Sequence, residues 1–125
     1  MPSDKMIYVT ELNESLKKAL KINHRIKVYR SKGLITHLLK RKHYTAVKYF
    51  DYIPDIIEDP DFAGFSNGQI ELIKYFKENI LLSIKLDQTR NIYYVATLFD
   101  VKQSKIDSYC KSGRIIKLDK NNISL

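Results

Sequence analysis

A single cysteine, Cys110, stands in the whole chain. No internal disulfide can form, so a reducing, intracellular place of folding is expected. Its helical spacing from Ile106 predicts a packed thiol rather than a nucleophile. The three histidines, His24, His37 and His43, are scattered, and no paired-carboxylate motif accompanies them. That donor set gives little to hold zinc or magnesium, so no metal or other cofactor is expected. The glycines at 33, 64, 68 and 113 never cluster, which excludes a glycine-rich phosphate loop. A serine or cysteine hydrolase signature is missing too. No apolar run approaches the length of a membrane span, and the opening MPSDKMIYVT holds no signal-peptide core. A cytoplasmic protein with no membrane partner is the expectation. Without repeats, low-complexity tracts or linkers, the 125 residues read as one domain, 1–125.

Acid is the other absence. Between Ser15 and Phe50 there is no Asp or Glu, while Lys17, Lys18, Lys21, Arg25, Lys27, Arg30, Lys32, Lys40, Arg41, Lys42 and Lys48 are all basic. Asp51, Asp55, Glu58, Asp59 and Asp61 follow with no base among them. The formal net charge of +8 therefore predicts one strongly positive face beside an acidic one. A charge balance of this kind favours nucleic acid, or less often an anionic membrane or an acidic protein, as partner.

The chain is organised around residues 28 to 48, VYRSKGLITHLLKRKHYTAVK. Leu34, Ile35, Leu38 and Leu39 form one apolar stripe at about 100° per residue. His37, Arg41 and Tyr44 fall on one flank of that stripe and His43 towards the other. Before this helix, residues 11 to 21 read as a short amphipathic helix and 25 to 29 as a short strand. After it, residues 44 to 57 continue helical, with a kink or a split at Pro54. The run EDPDFAGFSNGQ, 58 to 69, is a loop by composition. From Gln69 the period becomes two, and three β-rich runs joined by polar turns near 77–79 and 87–91 predict an antiparallel meander. Asp100 and Gln103 resemble a capping box opening a last helix to about Lys111, with Gly113 as its left-handed stop. IIKL, 115 to 118, adds an edge strand. Helices first and a sheet afterwards is the α+β pattern.

With no cofactor kit, any enzymatic chemistry here is general acid/base work with cations steadying the transition state, as metal-free RNA cleavage requires. His37 is the first candidate for proton transfer; the plainer reading packs it half-exposed on Tyr44. His43 has a similar standing, and the plainer reading places it at a helix end for dipole reasons. Lys40, Arg41 and Lys42 are a solvated face that would contact phosphate if RNA is the ligand. Lys85 shares a strand face with Ser83, opposite the apolar set Ile80, Leu82, Ile84 and Leu86. It either snorkels to solvent or lines a site on the open face of the sheet. Glu71 and Thr97 join that face if the register allows. Ser112 and Arg114 flank Gly113, either as a routine helix stop or as a phosphate site, and Arg30 adds to the basic set. Tyr75, Tyr93 and Tyr94 either stack on bases or pack within the sheet.

The stretches VYRSKGLITHLLKRKH, YFDYIPDIIEDPDFAG, IELIKYFKENILLSIKLD and IYYVATLFDVKQSKIDSYCKSGRI, in this order, resemble the phage-associated nuclease-like domains grouped with barnase, EndoU, the tRNA-cleaving colicins and RelE. The resemblance covers about residues 25 to 118. It implies N-terminal helices packed on a four-stranded antiparallel sheet, a further helix before the last short strand, and metal-independent RNase activity. By position the family's helix histidines and cations fall on His37, Lys40, Arg41 and His43. Its strand lysine falls on Lys85, its strand hydroxyl on Thr97, and its small-Gly-Arg exit on Ser112, Gly113 and Arg114. The chain departs from the family in having Tyr44 where a proline often follows the second histidine.

Two functions follow as expectations, beside a structural or phage-assembly role that involves neither RNA binding nor cleavage. The first is a toxin-like phage nuclease acting on RNA by 2′-OH attack in the host cytoplasm. His37 would be acid or base with His43 or Glu71, Thr97 would be its strand hydroxyl, and Lys85 and Arg41 would steady the phosphorane. Arg30, Lys40, Lys42, Ser112 and Arg114 would hold the RNA backbone. The alternative is a non-catalytic basic phage protein that binds RNA or a host ribonucleoprotein as an inhibitor. RNA is the expected partner in both, with an immunity protein or host ribonucleoprotein as a possible second one.

Overall fold

The computed structural model describes residues 5–120. Their elements run β1 (Met6–Glu11), α1 (Glu14–Ala19), β2 (Lys27–Ser31), α2 (Leu34–Lys40), α3 (Tyr44–Val47), a 3₁₀ turn (Phe50–Tyr52) and α4 (Ile53–Glu58). Then follow β3 (Phe62–Ser66), β4 (Gln69–Tyr75), β5 (Asn79–Asp87), β6 (Ile92–Asp100), α5 (Gln103–Lys111) and β7 (Ile116–Lys117). All seven strands join one sheet in the order β1-β2-β6-β5-β4-β3-β7. The α+β class holds, but the sheet is larger than the expected four antiparallel strands, and it is mixed. β2 runs parallel to β6, pairing Val28 with Tyr93 and Tyr29 with Tyr94, while the other pairs are antiparallel. The helices do not precede the sheet: β1 comes first, and α1 is the connection between β1 and β2.

The meander is where the sequence placed it, at β4, β5 and β6. One face of these strands carries Ile70, Leu72, Ile80, Leu82, Ile84, Val95 and Leu98, fully buried against α1 to α4 with Leu16, Ile26, Leu34, Leu38, Ile53, Ile56 and Ile57. Burying a Leu or Ile side chain is worth roughly 1.5–3 kcal/mol, so this face supplies most of the drive to fold. A smaller cluster, Ile73, Leu81, Ile106 and Ile115, seats α5 on the opposite face at one end. The rest of that opposite face is left open.

Four expectations are corrected. In α2 only Leu34 and Leu38 are buried; Ile35 and Leu39 stay exposed. The helix stops at Lys40, and the chain turns away before Ile35 and Leu39 meet a second layer. Residues 58 to 69 are not a loop. They contain β3, whose Gly64 accommodates the backbone of Arg114: a Cβ there would lie 2.1 Å from the Arg114 carbonyl oxygen. Asp100 is not a cap; it ends β6, and the N-cap of α5 is Lys102, which makes no side-chain capping bond. Cys110 lies on the exposed side of α5, because the one buried position of that helix is Ile106. Pro54 does begin a new helix, at the first turn of α4.

The acidic segment is answered by the chain's own lysines. Lys120 Nζ lies 2.6 Å from Asp61 Oδ1 and 3.1 Å from Asp59 Oδ1, and Lys74 Nζ lies 3.2 Å from Asp59 Oδ2. Burial alone would raise both carboxyls. The Lys120 ammonium, joined by Lys74 at Asp59 and by the Tyr75 amide at Asp61, outweighs it and holds both below the usual range. A depressed folded-state pKa stabilises above the unfolded pKa near 4 and is lost as pH falls through the lowered value. Lys120→Ala should therefore lower Tm by a few degrees at pH 7, about 1 kcal/mol for two partly exposed pairs. Its Tm should also fall less steeply than wild type between pH 5 and pH 2. Parallel acid limbs in thermal melts would show that these pairs contribute nothing.

Candidate active site

A cleft of about 630 Å³ opens on the uncovered face of β4–β6. It is lined by His37, Arg41, His43, Gln69, Glu71, Leu81, Ser83, Lys85, Tyr94, Ala96, Thr97, Phe99 and Arg114. The register makes it. Glu71, Ser83 and Thr97 are direct cross-strand neighbours in one rung over β4, β5 and β6, and Gln69, Lys85 and Tyr94 form the next. Alternation alone would put Thr97 and Tyr94 on opposite faces. A β-bulge corrects this: Ser83 pairs with Thr97 but Ile84 pairs with Val95, so Ala96 is the extra residue and the strand changes parity there. Bulges commonly re-aim side chains beside functional sites.

Two turns deliver side chains into the cleft from outside the sheet, and both are Schellman motifs. At the end of α2 the amides of Lys42 and His43 bond the carbonyls of Leu39 and Leu38, with Lys42 left-handed at φ 60°. At the end of α5 the amides of Gly113 and Arg114 bond those of Cys110 and Tyr109, with Gly113 at φ 82°. His43 and Arg114 thus occupy the same position of the same motif. Gly113 suits the left-handed site, whereas a lysine there costs roughly 1 kcal/mol. Backbone strain of this kind clusters at functional sites.

His43 Nδ1 lies 3.0 Å from the carbonyl oxygen of Leu98, and the ring packs against Phe99. A carbonyl can only accept, so Nδ1 carries the proton and Nε2 of the neutral ring holds the lone pair. Glu71, 5% exposed, accepts both arms of the Arg114 guanidinium at 2.8 and 2.6 Å. The same guanidinium lies over the Tyr109 ring at 4.0 Å. The bond from Glu71 raises the Arg114 pKa above its ordinary value, keeping it charged. Gln69 Nε2 donates to Ser83 Oγ at 2.7 Å. Glu71 and Ser83 are two of the three buried polar residues among those described, the third being Lys17. Buried polar groups are the informative exceptions in a core, and here they converge on one place. Among the described residues the side chains of His37, Arg41 and Lys85 make no hydrogen bond or ion pair, so their charge or proton is available to a ligand.

The structure therefore brings together His37, His43, Lys85, Glu71, Thr97, Arg41 and Arg114. Lys40, Lys42 and Ser112 are exposed and take no part in the cleft wall. Arg30 stacks over Phe50 at 4.9 Å and lines a separate cavity with Tyr8 and Asp51. Tyr44 is exposed in α3 and not against His37 in the cleft, Tyr75 is exposed, and Tyr93 packs towards the main core. Gln69 was not foreseen. The signal for it was Asn67-Gly68, both at positive φ, a two-residue hairpin turn that fixes which way β4 starts.

No curated protein and no solved structure gives a significant match to the chain. One family model does match, over residues 7–108, from β1 into α5. This stretch takes in every cleft residue except Arg114. The chain belongs to the family described as phage-Barnase-EndoU-ColicinE5/D-RelE like nuclease3.

Proposed function

We propose that the cleft cleaves RNA by intramolecular attack of a ribose 2′-OH on the adjacent phosphodiester. His43 Nε2 takes the 2′-OH proton as the O2′–P bond forms. His37, as imidazolium, gives a proton to O5′ as the P–O5′ bond breaks. The products are a 2′,3′-cyclic phosphate and a free 5′-hydroxyl. Arg41 and Lys85 sit against the phosphorane, where negative charge grows, and stabilise it more than the ground state. Arg114 holds the neighbouring backbone phosphate. Glu71 serves as its anchor and not as a base, because both its oxygens are already engaged by the guanidinium.

The observation that carries this reading is the pinned ring of His43. One nitrogen is fixed to the Leu98 carbonyl, and the other faces a cleft rich in cations. A carbonyl-oriented imidazole is the arrangement a general base needs. Incubation of the protein with total tRNA and rRNA in EDTA should yield fragments ending in 2′,3′-cyclic phosphate. The same fragments should be missing with the His37→Ala/His43→Ala protein. Retained, salt-sensitive RNA binding with no cleavage by the wild type would instead establish a binder that uses the same basic face.

A further inference from the structure

We infer that the cavity adjoining the cleft at Tyr94 is a nucleobase pocket that accepts a base with an exocyclic amino group and rejects uracil. The inference rests on the RNA-cleaving reading of the cleft. The cavity measures about 240 Å³ and shares His37, Tyr94 and Ala96 with the cleft, so the two spaces adjoin at these residues. It falls below the ~300 Å³ at which pockets begin to hold drug-sized ligands, which suits one base and not a whole nucleotide. A base seated there belongs to a nucleotide flanking the phosphate that His37 and His43 serve. Tyr94, half-buried at the junction, supplies an aromatic face of the kind that unstacked RNA bases use.

Asp87 supplies the edge recognition. It lies two residues beyond Lys85 on β5, and so on the same face as Ser83 and Lys85. Its Oδ1 accepts the amides of Thr89 at 3.0 Å and Arg90 at 3.2 Å, which fixes the carboxylate on the β5–β6 turn. Oδ2 forms an ion pair with Arg90, 3.7 Å from its Nε and so longer than a hydrogen bond. Asp87 lines the cavity, and its ion-paired carboxylate keeps lone pairs that can accept from a ligand. Adenine, cytosine and guanine each offer an amino N–H to such an oxygen. Uracil offers a single N–H flanked by two carbonyls, which a carboxylate repels.

Titration of the wild-type protein with 3′-CMP and 3′-UMP, followed by calorimetry and by amide shifts, tests this on two ligands of nearly equal shape. CMP should bind about tenfold more tightly than UMP, the scale of one charge-assisted hydrogen bond. In the Asp87→Asn protein the two amides keep Oδ1 as acceptor and leave an NH₂ in place of Oδ2. The preference for CMP should then vanish or reverse. Tyr94→Ala should weaken both ligands about tenfold or more. Equal binding of CMP and UMP by the wild type, or an Asp87→Asn protein with unchanged preference, would overturn the pocket. Base preference without RNA cleavage would uphold the pocket and sink the nuclease reading, and cleavage without base preference would do the reverse.

Discussion

The His43→Asn protein should fold normally and cleave RNA about 10²–10⁴-fold more slowly than the wild type, the usual contribution of a positioned acid or base. The substitution separates two jobs that one ring performs. The asparagine amide can still donate to the Leu98 carbonyl, which in the wild type accepts from Nδ1 at 3.0 Å. It offers no lone pair with imidazole basicity, so proton abstraction is lost while the backbone contact survives. His43→Ala removes both, and should cost a further ~1 kcal/mol of stability for the unmade hydrogen bond. Neither loss threatens a domain with the usual ~5–15 kcal/mol of stability. The pH profile is the sharper readout. A base must be neutral, so wild-type kcat/KM should fall on the acid side, and the His43→Asn protein should lack that limb. A His43→Asn protein within threefold of wild-type activity would remove this ring from the mechanism.

The contrast between His43 and β3 shows what the sequence could and could not carry. The HxxKRKH spacing drew attention to the right segment, because helix periodicity separates the buried Leu34 and Leu38 from the polar flank. That His43 enters the cleft at all depends on Lys42 adopting a left-handed conformation, which no lysine advertises. The β4–β6 alternation was legible, since apolar residues at every second position have one face to hide. Parity across the Ala96 bulge was not, because nothing local distinguishes a bulged alanine. β3 was lost for a related reason. Its glycine and serine read as loop composition, yet Gly64 is there because the Arg114 backbone passes too close for a side chain. β2 showed as a short strand and β1 did not show, and only the tertiary pairing of β2 with β6 and β1 reveals that both extend the same sheet. Long-range contacts decided each of these, and periodicity is blind to them.

The largest stability effect should come from Arg114→Ala. Glu71 has 7% of its side chain exposed and loses both hydrogen-bond donors in that variant. Breaking a buried pair from one side costs ~3–5 kcal/mol, because the remaining charge is stranded away from water. With 43% of the arginine side chain exposed, the low end applies. A loss of about 3 kcal/mol corresponds to roughly 10 °C in Tm for a domain of this size. Stability and chemistry can then be pulled apart. Glu71→Leu combined with Arg114→Met replaces the pair by apolar groups and should regain most of the lost Tm. It should still show a KM for RNA raised about tenfold with kcat little changed, since the guanidinium that holds the backbone is gone. An Arg114→Ala protein as stable as the wild type at pH 7 would mean that Glu71 reaches water without its partner. A double variant with wild-type KM would leave Arg114 a structural clamp across α5 and β4, and pass the backbone contact to Arg41 and Lys85.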